Sequence, residues 1–328
     1  MRTKRLTLLS GALAFVVIAL LINGCRQQQA ESTDSSSKSK LKGTISISGA
    51  FALYPMTVKW AEIFMELHPK VRIDISAGGA GKGMTYALSG MVDLGMFSRS
   101  VSQAEIDKGA WYIATVKDAV VPTININNPL IDKILTTGFT KDEFYRIYIP
   151  QEIQNWDKFA PEGQKGQKMN VYTRSDACGA AQMWGEYLGR DQESLNGIGV
   201  YGDPGMADAV KNDPLAIGFN NIGFVYDMNT RKKYEGMEIL PIDLNENGQI
   251  DPEESVYDTQ DDIMNAIKND LYPSPPARDL FFVSKGKPQN EAVIEFLRWI
   301  LTEGQKYVNE SGYVELPQEK IEKELSKL

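Results

Sequence analysis

Short β-branched runs that stop at glycine or proline and open directly onto helix-forming stretches recur along this chain, and that alternation limits what it can become. Ile45 to Ser48 ends at Gly49, and Pro55 then opens a helix running through Glu66, stopped by His68 and Pro69. Val71 to Ile75 alternates into Gly78-Gly79, and a helix follows from about Lys82 to Leu88. Asp93 to Phe97 reads as a short strand ending at Ser98-Arg99-Ser100, and Ser102 with Glu105 forms a capping box for the next helix. Ala119 to Ile126 reads as a buried strand. The pattern predicts an α/β architecture with mixed, mainly parallel sheets flanked by helices. At 328 residues the chain is long enough for two domains that share a cleft.

One repeat of the pattern carries the most chemistry. Val171 to Thr173 meets a polar turn at Arg174-Ser175-Asp176, and a helical run follows from Cys178. A helix beginning there leaves its first N–H groups without internal partners and turns its positive end toward the turn. Arg174 adds a planar fork of donors suited to an oxyanion. The same residues also fit an ordinary strand–turn–helix, with Asp176 capping the helix and Arg174 in a structural ion pair. The run Gly79-x-Gly81-x-Gly83 is not a dinucleotide fingerprint. Nor is Gly81-Lys82 a P-loop, because Gly83 stands where Ser or Thr would hold magnesium. What remains is either a nest of close-approach N–H donors before a helix or a plain tight turn.

Four segments, in order, resemble the periplasmic phosphate-binding proteins, the solute-binding components of phosphate ABC transporters. They are SGAFALYPMTVKWAEIF (48–64), SAGGAGKGMTYALSGMVDLGMFSR (76–99), the turn around RSDACGA, and the stretch beginning PPARDLFFVSKGKP. The likeness covers nearly everything after residue 42. It implies a two-lobed type II binding-protein fold, with residues 43–124 plus 228–328 as lobe 1 and 125–227 as lobe 2. Extended crossovers are expected near Pro122 to Asn127 and Tyr226 to Lys232. The helix expected at Asn290 to Thr302 carries a broad apolar stripe for the core, and Lys320 to Leu328 reads as a short charged tail.

The resemblance also implies ligand contacts, and here the chain departs from the family. Arg174 is kept, with Asp176 to orient it and Gly179 to offer its backbone N–H. The family's Ser in this turn is Cys178 here, and the following Thr is Ala180. In the first turn, Ala52-Leu53-Tyr54, Leu53 replaces Thr. Ala80, before Gly81, matches the Ser of the glycine turn, and Arg99, beside Ser98, stands where an acidic acceptor is usual. Each unmet contact to a bound anion costs about 1–3 kcal/mol. The second arginine would favour a fully ionised or larger anion. Leu53, Tyr54 and Met96 would equally accept a ligand with an apolar portion. Neither Arg174 nor Arg99 has an obvious local acidic partner except Asp176.

The first residues read as an address. Arg2, Lys4 and Arg5 precede an almost unbroken apolar run, Leu6 to Ile22, followed by Asn23-Gly24-Cys25. This predicts a signal peptide over 1–24 with Cys25 lipidated, a retained anchor being the alternative. Residues 25–42 are almost free of apolar side chains and read as a disordered tether. Removing 1–24 takes away three cations and no anions from a chain already at −8, so nucleic acid is excluded as a broad partner. Cys178 is then the only free thiol, at a helix start that would lower its pKa. The chain's one His, His68, is not placed near it by any sequence signal, so nucleophilic catalysis is not expected.

Asp243 to Glu254 reads as an EF-hand-like loop. Asp243, Asn245, Asn247, Asp251 and Glu254 occupy the acceptor positions, Gln249 offers its carbonyl, and Gly248 sits at the sharp turn. One structural Ca²⁺ is therefore expected; the competing reading is an acidic surface turn. Together these readings describe a monomeric, lipid-anchored protein on the outer face of a bacterial cell membrane. It would pass a small oxyanion, phosphate by default, to an ABC permease. A sensory or adhesive protein binding another ligand on the same fold is the alternative, and a phosphatase is a further one.

Overall fold

The computed structural model describes residues 41–328. The expected leader, the expected lipidation site at Cys25 and most of the expected tether lie outside the described residues. Along the chain, β1 (Gly43–Gly49), α1 (Tyr54–Leu67), β2 (Val71–Ala77), α2 (Ala80–Ser89), β3 (Leu94–Phe97) and α3 (Gln103–Asp107) lead into the long strand β4 (Ala110–Asn125). Then come α4 (Ile131–Thr137), α5 (Lys141–Tyr148), β5 (Asn170–Arg174), α6 (Gly179–Tyr187), β6 (Ile198–Val200), α7 (Gly202–Asn212) and β7 (Ala216–Asn221). The chain closes with β8 (Met237–Ile239), α8 (Gln260–Lys268), β9 (Ala277–Lys285), α9 (Glu291–Leu301) and α10 (Gln318–Leu325).

The strands form one mixed sheet in the order β2-β1-β3-β9-β4-β7-β5-β6, with β8 also on β4. Parallel pairing holds for β1 with β2 and β3, and for β5 with β6 and β7. Every antiparallel pair contains β4 or β9, the two long strands that lie side by side in the middle. The architecture is thus the expected α/β one, with a mixed sheet flanked by helices.

Two hydrophobic cores sit along this sheet. One gathers Ile47, Leu53, Trp60, Phe64, Met96, Phe282 and Phe296; the other gathers Val120, Phe144, Tyr148, Trp156, Trp184 and Phe219. Core membership changes between Val116 and Ala119 in β4, and between Ala277 and Leu280 in β9. The segments expected as crossovers, 122–127 and 226–232, contain residues of the second core, Ile124 and Tyr226 among them. Ile239, Ile263 and Tyr272 join that second core as well. The reason is local: β8 pairs with β4, and the Tyr272 hydroxyl donates to the Val120 carbonyl at 2.7 Å.

Two end elements repay attention. In α9, Val293, Phe296, Leu297, Ile300 and Leu301 are all buried, each stabilising by about 1.5–3 kcal/mol relative to exposure. The expected charged tail is instead the docked helix α10. A β-bulge between Ala114 and Val116 interrupts the ladder with β9, and buried Glu324 accepts the Ala114 N–H at 3.0 Å there. A periodicity of charges hid the two buried positions, Ile321 and Glu324.

Candidate functional site

The turn after β5 is held by its own ion pair. Arg174 grips Asp176 with two nitrogens, Nε to Oδ1 at 2.8 Å and Nη2 to Oδ2 at 2.7 Å. Its third nitrogen, Nη1, lies 3.0 Å from Asp203 Oδ2, yet no N–H of Nη1 is aligned on an acceptor among the described residues. Asp203 is in the first turn of α7, behind Tyr201. Arg174 is 7% exposed, and burial alone would disfavour its charge; the neighbouring Asp203, Cys178 and Asp176 reverse this and raise its pKa above the ordinary guanidinium value. Asp176 is held below the usual carboxylate range: burial works against ionisation, but the bonds from Arg174 and from the Gly202 N–H outweigh it.

Asp176 does not cap the helix. Cys178 is the N-cap of α6, its Sγ accepting the Ala181 N–H at 3.4 Å, and its own N–H donates to Gln192. The expected acidic thiol is overturned. Cys178 is 5% exposed, and burial pushes its pKa up to about 12 despite the helix end and Arg174. His68 closes α1 against the Phe64 ring, so the chain's one imidazole is no base for this thiol.

Three sequence-distant turns meet at the start of α6. Gly179 lies directly against Ser98: a Cβ there would fall 2.2 Å from both Ser98 oxygens. The Gly81 N–H donates to the Ala177 carbonyl at 3.1 Å, and Gly79, at φ +87°, is close to Asp176. Ala80 and Ala180 are buried nearby in their helices' first turns. The first turn is reached through Gly49, whose carbonyl accepts from both Gly78 and Gly79. Leu53 is fully buried and caps α1 without a side-chain bond, Tyr54 is half-buried, and the Ala52 carbonyl accepts the Tyr313 hydroxyl at 2.7 Å.

Arg99 does not join them as a free cation. It is paired bidentately with Glu105, at 2.8 and 3.1 Å, and its guanidinium lies 4.5 Å from the Phe97 ring centroid. The expectation that it lacks a local acidic partner is corrected: the partner is the capping-box glutamate one turn into α3. Capping and pairing are compatible because the carboxylate has several acceptor sites.

The sequence reading missed four site residues. Asn221, at the end of β7, donates to Asp203 Oδ1 and accepts from Arg278 Nη2. Arg278, on β9, also donates through Nε to the Ser98 carbonyl at 3.3 Å and lies 3.5 Å from Asp118 Oδ2. Asp118 is 1% exposed; burial raises its pKa to about 6, with Arg278 opposing and Asp203 adding to the shift. A signal existed for Asp118, a carboxylate directly before the apolar run Ala119 to Val121. Arg278 and Asp203 carried none, since the partners of Asp203 lie 18 or more residues away and those of Arg278 57 or more.

The acidic loop is also corrected. Among the described residues no group of three or more His, Cys, Asp or Glu side chains is placed to hold a metal ion. The loop oxygens are occupied by the loop itself. Glu254 Oε1 accepts from the Leu244 and Asn245 N–H groups and Oε2 from Asp251 N–H. Asp243 accepts from Asn247 and Gly248, and Asp251 from the amides of Asn245, Asn247 and Gln249. Asp243 to Glu254 is a self-satisfied turn, and no Ca²⁺ site is drawn there.

The PBP superfamily domain matches residues 34–303 of this chain. The phosphate-binding protein PstS of Bacillus subtilis is 28% identical, covering 69% of this chain and 73% of its own length. That of Methanocaldococcus jannaschii is 25% identical over 96% of this chain and 93% of its own. Among solved structures, a putative phosphate ABC transporter substrate-binding protein with bound phosphate from Clostridium perfringens superposes with a TM-score of 0.67. It is 22% identical and covers 84% of this chain and all of its own. An ABC-type phosphate transport receptor from Vibrio cholerae gives 0.58 at 21% identity, with 83% of this chain and all of its own covered.

Proposed function

This chain belongs to the periplasmic phosphate-binding protein family within the PBP superfamily, and from that premise we propose that it captures a small oxyanion, phosphate first among candidates, for an ABC importer. The observation that carries the reading is the convergence at Gly179. There, the start of α6, the buried Arg174 and Ser98 come together with a glycine turn whose backbone approaches within hydrogen-bonding distance. A positive helix end beside a buried guanidinium favours an anion. The role is non-enzymatic in this reading, in keeping with the chain's similarity to phosphate-binding proteins.

The two cores supply the two lobes in this reading, with β4 and β9 passing between them, and closure around the ligand brings Ser98 to Gly179. Lipidation at Cys25 would hold the protein at the outer face of the membrane, within reach of a permease. Ligands would be Arg174, Ser98 and the N–H groups of Gly179 and Ala180; Arg99, tied to Glu105, is left out of the contact set.

Calorimetry of the purified protein against phosphate, sulfate, tungstate, a phosphonate and small carboxylates tests the ligand. Saturable binding of at least one, lost in Arg174→Ala, is expected; no binding of any would end the reading. Metabolic labelling with an alkyne fatty acid tests the anchor, and label that persists in Cys25→Ala would remove it.

A further inference from the structure

Resting on the reading of this site as an oxyanion pocket, we propose that Arg278 supplies a second guanidinium to the bound anion, making the ligand a multiply charged oxyanion gripped between Arg174 and Arg278. The two side chains arrive from different strands, β5 and β9, and converge on one pair. Asn221 accepts from Arg278 Nη2 and donates to Asp203, and Asp203 lies against Arg174 Nη1. Arg278 Nε meanwhile donates to the carbonyl of Ser98, the residue that abuts Gly179. Arg278 therefore touches both sides of the convergence.

The decisive detail is what the two arginines leave over. Arg174 and Arg278 are 7% and 8% exposed; Arg174 Nη1 is ion-paired with Asp203 at 3.0 Å without an aligned N–H, and Arg278 Nη1 is buried with no hydrogen-bond acceptor among the described residues. A purely structural ion-pair network would satisfy these donors, because an unmet charged donor in the interior is costly. Arg174 Nη1 lies against Asp203 and Arg278 Nη2 against Asn221, so the two guanidiniums approach one Asn221–Asp203 pair from opposite sides.

The charges set a condition on this, since an anion can enter only if one of the facing carboxylates gives up its charge. Three carboxylates, Asp118, Asp176 and Asp203, face the two guanidiniums. Asp118 has an unpartnered Oδ1, and burial lifts its pKa to about 6, so its charge is readily surrendered when an anion enters. The turns have also lost neutral donors: Cys178, Ala180, Leu53 and Ala80 offer no hydroxyl. Charge-assisted bonds are roughly twice as strong as neutral ones, so a second arginine offsets several missing hydroxyls.

The test uses inorganic phosphate and the purified protein. Calorimetry should show Arg278→Gln weakening phosphate by about 10–100-fold, with Arg278→Lys recovering part of the loss. In wild-type protein labelled with ¹⁵N-arginine, phosphate should shift the side-chain signals of two arginines, assigned by their absence in Arg174→Lys and Arg278→Lys. That spectrum decides the matter even where Arg278→Gln does not fold. Phosphate binding with only the Arg174 signals shifted, or affinity of Arg278→Gln within about 3-fold of wild type, would overturn this inference and leave the pocket reading intact. Failure of the wild type to bind phosphate or any other oxyanion would instead remove the pocket reading itself, and this inference with it.

Discussion

Two arginine turns in this protein share one grammar and end in opposite states. Arg99 follows β3 and precedes α3; Arg174 closes β5 and precedes α6; each grips a nearby carboxylate with two nitrogens. The Arg99 side chain remains 26% exposed beside Glu105, whereas the Arg174 side chain is fully covered. The difference is the remote partner. Glu105 is six residues from Arg99 and belongs to the same turn of chain, while Asp203 reaches Arg174 from α7, with Asn221 and Arg278 behind it. A local pair can form wherever the chain turns. A pair completed from three further strands and helices is buried by the fold.

Truncating each guanidinium is the widest test of that contrast. Arg174→Met leaves Asp176 and Asp203 buried without their cation, a loss of about 3–5 kcal/mol. Arg99→Met removes a half-exposed pair, and ~1 kcal/mol or less is expected. Urea denaturation of both variants reads the difference directly. Equal losses would mean that the buried cluster relaxes as freely as the surface pair, and the contrast would collapse.

Titration should separate the two regions next. Burial favours the protonated form of Asp118, so its folded pKa, about 6, lies above its unfolded value near 4. The stability it contributes is therefore fully present below pH ~4 and is lost as pH rises through ~6, by roughly 2–3 kcal/mol in all. Glu105 has the opposite sign. Although burial works against its charge, bonds from Arg99 and Ser102 hold its pKa below the usual value, so its contribution is present above the unfolded pKa and fades in acid. Asp118→Asn should flatten the decline in stability between pH 4 and 7, measured by chemical denaturation at fixed ionic strength. A profile unchanged by Asp118→Asn would show that this carboxylate titrates normally in the fold.

The same contrast explains how far the sequence could be read. Strand and helix alternation, the Ser102–Glu105 box and the apolar face of α9 depend on neighbours within a few residues, and all are present in the fold. Arg174 and Asp176 are legible for the same reason. Asp203, Asn221 and Arg278 are not, since nothing local distinguishes a partner recruited from α7, β7 or β9. The acidic loop misled in the reverse sense: spacing placed acceptors at ligand positions, but spacing does not say whether the loop's own N–H groups reach them first. The charged end of the chain misled because two buried positions in eight carry little periodic signal.

A smaller effect isolates the approach of the two turns. Gly179→Ala places a methyl 2.2 Å from the Ser98 oxygens, so the Ser98 loop must shift. Overpacking of this kind costs about 1–3 kcal/mol. Phosphate affinity should fall with it, while Gly90→Ala, at an open but left-handed helix end (φ +72°), should cost stability and leave affinity alone. Undiminished phosphate binding by Gly179→Ala would place the ligand away from this contact.

The smallest expected change is at Cys178, where the buried and exposed styles of helix start can be compared atom for atom. Ser102 caps α3 with a hydroxyl, and Cys178 caps α6 with a sulfur that accepts at 3.4 Å. Serine is the better cap by ~1 kcal/mol or less, but its hydroxyl must also find an acceptor in a site that is 5% exposed. These terms nearly cancel, so Cys178→Ser should move the unfolding midpoint by only a degree or two. Its chemistry is the sharper reading. With its pKa pushed up to about 12 by burial, the native thiol should resist iodoacetamide at pH 8 and react fully once denatured. Rapid native alkylation would mean that the turn opens readily, and Arg174 would then be no more sheltered than Arg99.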